Sequence, residues 1–68
     1  MKLLVVNEFG GNGIVVNAQA IPSLGVYVDV FNVMPRPRVT GVLMWPSEKT
    51  LEALNVKGFE IEAIVTCA

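Results

Sequence analysis

Two arginines in a proline-stiffened loop, Met34, Pro35, Arg36, Pro37 and Arg38, are the residues of this sequence best suited to recognition. A guanidinium presents a planar fork to a carboxylate or phosphate, and the prolines lower the entropy that a loop loses on binding. The flanking segments carry aromatic rings, Tyr27 and Phe31 before the loop and Trp45 after it. Exposed together on a sheet face, Tyr27, Phe31, Trp45, Arg36 and Arg38 would make a stacking platform for single-stranded nucleic acid. The same set suits a protein contact, because Trp, Tyr and Arg are enriched at interface hot spots. Two plainer roles compete with these: a solvated structural loop for the arginines, and packing over a strand-to-helix corner for Trp45, which directly precedes Pro46.

The remaining chemistry-bearing residues are less well placed. Glu60 and Glu62 stand two apart, roughly 6.5 to 7 Å between Cα atoms on a strand, which suits a metal or an acid and base pair. Their alternation with Phe59, Ile61 and Ala63 is equally what a strand with one wet face requires, and Glu8 and Asp29 would join them only if the fold gathered all four. Gly10, Gly11 and Gly13 evoke a phosphate loop, but Val16 takes the place of the third glycine and no Lys with Ser or Thr follows. A hairpin turn is the better account. The sequence has no His to activate a nucleophile, and its one cysteine, Cys67, alternates in phase with Val65 and Phe59 as a small core thiol would. Lys2, Lys49 and Lys57 are expected in polar contexts, without the apolar enclosure of a Schiff-base lysine. These residues predict neither an enzyme nor a bound metal or cofactor.

Charge adds little pull toward any partner. Five Lys and Arg against six Asp and Glu give a net charge of −1, so a nucleic-acid or membrane surface would have to be held by a local patch. Residues 9–28 are free of charge and long enough to span a bilayer, yet Gly10, Gly11, Asn12, Gly13, Asn17, Gln19, Pro22 and Gly25 break them up, and no membrane helix is expected. The apolar start at residues 3–6 meets Asn7 and Glu8 too soon for an export signal, and an unpaired thiol fits a reducing cytoplasm.

The elements that must position these residues follow from the turn signals. Residues 3–7 and 14–21 flank the glycine turn as a strand pair, and Pro22, Ser23, Leu24 and Gly25 form a second turn. Residues 26–32, almost wholly β-branched or aromatic, read as the clearest strand of all. After the proline loop, residues 38–45 resume strand composition and stop at Pro46. Ser47 can cap a helix through Glu48, Lys49, Leu51, Glu52, Ala53 and Leu54, with Leu51 and Leu54 on one face and Gly58 beyond its last turn. Residues 59–67 end the chain as a fifth strand.

The predicted fold is a single α+β domain over residues 1–68. About five strands, mostly antiparallel and in the order β-β-β-β-α-β, form a sheet with one short helix on a face. Pairing Val30 with Thr40 across the loop would put Tyr27 and Phe31 on one face with Val39, Leu43 and Trp45, leaving both faces apolar. One short helix cannot cover both. A chain of 68 residues buries only about 60% of its surface. With one cysteine and no His, neither an internal disulfide nor a conventional zinc site can reinforce the core. A symmetric dimer, or a sheet curled toward a small barrel, follows as the expected remedy. The expected function is that of a non-catalytic, self-associating module that binds another protein; a single-stranded nucleic-acid binder is the alternative.

Overall fold

A computed structural model of the chain describes residues 1–31, 33–56 and 60–68. Among the described residues, one sheet of four strands carries one short helix: β1 Lys2–Asn7, β2 Ile14–Asn17, β3 Val39–Met44, α1 Glu48–Ala53 and β4 Ala63–Cys67. The sheet order is β2-β1-β4-β3, open at both edges and so not a barrel. β1 pairs antiparallel with β2, β4 pairs antiparallel with β3, and the central pair β1 and β4 is parallel. Of the about five strands expected, four form among the described residues, and the sheet is mixed: two of its three pairings are antiparallel and the central one is parallel.

The first hairpin forms as its sequence dictates. Gly10 and Gly11 have φ of 110° and 95°, a conformation that side chains disfavour. The Asn7 side-chain oxygen accepts the Phe9 N–H at 2.8 Å and starts the turn. Gly13 is needed for a different reason: a Cβ there would lie 2.8 Å from Leu4 Cδ1 and 2.9 Å from Val6 Cγ1.

The last strand departs from its expected pattern because it is central. Ala63, Ile64, Val65 and Cys67 are all buried, so both faces of β4 are covered and the strand reads as a nearly continuous apolar run. Glu60 and Glu62 precede β4 instead of lining a wet face of it, and Phe59 and Gly58 lie outside the described residues. The chain returns from the helix side beside the start of β1, where the Glu62 N–H donates to the Lys2 carbonyl at 2.9 Å. From there β4 runs alongside β1, which makes the pair parallel.

Helix α1 starts at Ser47, whose hydroxyl accepts the Thr50 N–H at 3.2 Å. It ends in a Schellman arrangement. Asn55 takes φ 58°, its N–H bonds to Glu52 O at 3.1 Å, and the Val56 N–H bonds to Leu51 O at 3.0 Å. The terminator is thus Asn55, three residues before Gly58. Leu51 and Val56 pack with Leu4, Ile61 and Ile64 on one face of the sheet, while Leu54, expected to join Leu51, is exposed.

The opposite face is buried by the segment that looked most like a strand. Ala18, Ile21, Val28 and Phe31 pack onto Leu3, Val5, Val39, Ala63, Val65 and Cys67. Residues 26–31 form no strand; their one ladder contact is the Tyr27 to Arg38 bridge, and Asn32 lies outside the described residues. The Tyr27–Arg38 bridge sets Val28 against Pro37 and, continued, would set Asp29 against Arg36 and Val30 against Pro35, not Val30 against Thr40. Two of these partners are prolines without an N–H, so the ladder cannot propagate. The bonds that do form are Val28 N–H to Pro37 O at 2.7 Å, Val39 N–H to Val26 O at 2.9 Å and Gly25 N–H to Val39 O at 2.8 Å. Among the described residues, no helix is long and apolar enough to cross a membrane.

Candidate functional site

Strand β3 is closed at one end and open at the other. At its start, Val39 is 2% exposed, with β4 on one side and residues 25–28 on the other. A bulge at Thr40 then shifts the register, since Val39 faces Cys67 while Gly41 faces Thr66. Beyond the bulge, no neighbouring strand flanks the outer edge among the described residues. Val42, Leu43 and Met44 are 36%, 50% and 43% exposed, and Trp45 reaches 73%.

The backbone of this open stretch has a defined polarity. Arg38 and Ala68 exchange both backbone bonds at 2.9 Å, and the Trp45 N–H donates to Glu62 O at 2.8 Å. Antiparallel ladders alternate, so with Leu43 opposite Ile64 and Met44 opposite Ala63, Leu43 and Trp45 turn their polar groups toward β4. Val42 and Met44 turn theirs outward. The strand stops at Trp45, whose φ of 53° bends the chain away, and Pro46 has no N–H to continue the ladder. From Val39 to Ser47 the sequence carries no charge, so this edge lacks the lysines, inward charges or strand prolines that usually keep strangers off.

The five residues expected to bind do not form one platform. Tyr27 and Arg38 meet: the guanidinium lies 4.7 Å from the ring centroid and its Nη2 donates to the Tyr27 hydroxyl. Arg36 is held nearby by Asp29, with Nε 3.4 Å from the carboxylate. Phe31 packs against the core cluster, and Trp45 lies at the other end of β3, seven residues from Arg38 and so roughly 20 Å away. Trp45 is also too exposed to be packed over the strand-to-helix corner.

Other candidate groups are dispersed. Among the described residues, no three His, Cys, Asp or Glu come together. Glu8 accepts the Thr40 hydroxyl at 3.1 Å, and Asp29 is committed to Arg36. Cys67 is fully buried with its thiol 3.4 Å from Val6 O; burial raises its pKa above the ordinary thiol range and the Glu8 carboxylate adds to the shift. Such a thiol is a poor nucleophile. A cleft of about 500 Å³ lies between the glycine turn and the end of α1, where Asn7, Asn12 and Asn55 supply neutral amides and no cation lines it among the described residues. A smaller one of about 270 Å³ is bounded by Phe9, Val33, Pro35, Arg36 and Pro37.

No family model, curated protein or solved structure matches this chain. The site therefore stands on geometry alone. Sequence reasoning singled out Trp45 but passed over Val42, Leu43 and Met44, which looked like ordinary strand residues. Their signal was the uncharged run around them.

Proposed function

We propose that the chain is a non-catalytic protein-binding module that works by strand addition at the open end of β3. The observation that carries this is an edge with outward backbone groups at Val42 and Met44, framed by exposed Val42, Leu43, Met44 and Trp45 and free of charge. Strand addition takes its affinity from main-chain hydrogen bonds and its selectivity from alternate side chains, and this edge offers both. The accessible surface, 4749 Å², also exceeds the roughly 4,200 Å² of a folded monomer of this mass. Single-stranded nucleic acid is the weaker alternative, because Phe31 is packed inward and Arg36 is paired with Asp29.

Selection of extended peptides from a displayed library tests the proposal. Met44→Pro removes an outward N–H without touching the bonds to β4, so peptides selected on the native chain should lose binding to it. They should be indifferent to Phe9→Ser, at the tip of the first hairpin. Equal binding to native chain and Met44→Pro would refute the proposal.

A further inference from the structure

We infer that the occupant of the open β3 edge is the same edge of a second copy, paired antiparallel about a two-fold axis at Leu43. This rests on the strand-addition proposal and names its partner. The register follows from which backbone groups are free. In an antiparallel pair, bonds are exchanged between residues whose polar groups face each other, and on this edge those are Val42 and Met44. A two-fold that sets Val42 of one copy opposite Met44 of the other uses all of them, giving four N–H to O bonds. Pairing Val42 with Val42 would use the groups of only one of these residues in each copy, and pairing Met44 with Met44 would set Val42 against Pro46, which has no N–H.

The side chains agree with this register. Leu43 meets Leu43 at the axis as a non-hydrogen-bonded pair, the closer kind, with Cα atoms about 4.5 Å apart. Nothing on the edge repels a copy of itself, because residues 39–47 are uncharged. The window also has the right length. Residues 25–28 close the edge up to Val39 and the bend at Trp45 ends the strand, so each copy offers, and fills, the same short stretch. An interface this small gives a weak, concentration-dependent dimer.

Sedimentation equilibrium over a concentration series, with Leu43→Lys, Leu43→Glu and their equimolar mixture, tests the inference. The native chain should dimerise, and each charged variant should dimerise at least ten-fold more weakly, because like charges would meet at the axis. The mixture should regain a heterodimer, as Lys then faces Glu. Leu43 is half exposed, so both variants should keep the native circular dichroism spectrum. A dimer undiminished by both substitutions, or weakened by both but not regained on mixing, would overturn the register and the inference with it. A native chain that stays monomeric to millimolar concentration would also overturn it. Should that monomer still bind selected peptides and lose them with Met44→Pro, the strand-addition proposal would survive while the second copy as occupant would not.

Discussion

The two ends of β3 are built from similar residues and meet opposite fates. Val39, at one end, is 2% exposed and has neighbours on both edges; Val42, three residues on, is 36% exposed with β4 on one side. Residue type does not separate them. What differs is the supply of a second backbone: residues 25–28 reach Val39 through two hydrogen bonds, and on the side toward Val42 that segment gives way to a turn, with Gly25 at φ 85° and the Val26 N–H bonded to Ser23 O. An apolar residue on a sheet edge is buried when a neighbour arrives, and the far end of β3 is a sheet still short of one strand.

The largest expected contrast comes from truncating the two valines. Val39→Ala should cost about 2 kcal/mol through lost burial and a residual cavity. Val42→Ala should stay within about 0.5 kcal/mol, as exposed substitutions do. Urea unfolding of dilute protein gives both numbers, and equal costs would erase the distinction between the ends. A smaller effect is expected at the cover itself. Tyr27→Ala removes the contact with Arg38 and should cost about 0.5–1 kcal/mol, with faster amide exchange at Val39 and none of that change at Val42.

The sequence showed some of this and concealed the rest for physical reasons. The glycine turn at residues 10–13 and the Ser47 cap were legible because each is decided by local backbone chemistry. The place of β4 was not. Whether it ran parallel beside β1 depended on where the chain re-entered the sheet, and alternation in Glu60, Ile61, Glu62 and Ala63 suggested a wet face that the strand proper lacks. Residues 26–31 have strand composition because Val28 and Phe31 must bury against the sheet, and a buried covering segment and a strand ask for the same residue types. At the candidate site, Trp45 stood out by type, whereas Val42, Leu43 and Met44 became informative once their uncovered edge was known.

Two weaker effects sharpen the contrast further. Cys67 lies opposite Val39 at the closed end, and its folded pKa is raised. Above an ordinary thiol pKa of 9.0 the unfolded chain loses this proton first, so stability holds below that pH and falls as pH rises toward the folded value. Cys67→Ala should remove that part of the slope in a pH series of urea midpoints, and a slope left intact would mean the closed end is not dry. Arg36→Ala should matter least. Its ion pair with Asp29 is more than half exposed on both sides, so the change should stay within about 0.5 kcal/mol and leave exchange along β3 as it was.

The central claim, an open edge at the far end of β3, is tested most directly by residue-resolved amide exchange at low and high protein concentration. In dilute solution the Val42 and Met44 amides should exchange fast and the Leu43 and Trp45 amides slowly; at high concentration Val42 and Met44 should become protected while Leu43 and Trp45 change little. Slow exchange at Val42 and Met44 in the dilute monomer would contradict the open edge, and fast exchange there at every concentration would contradict its pairing with a second copy.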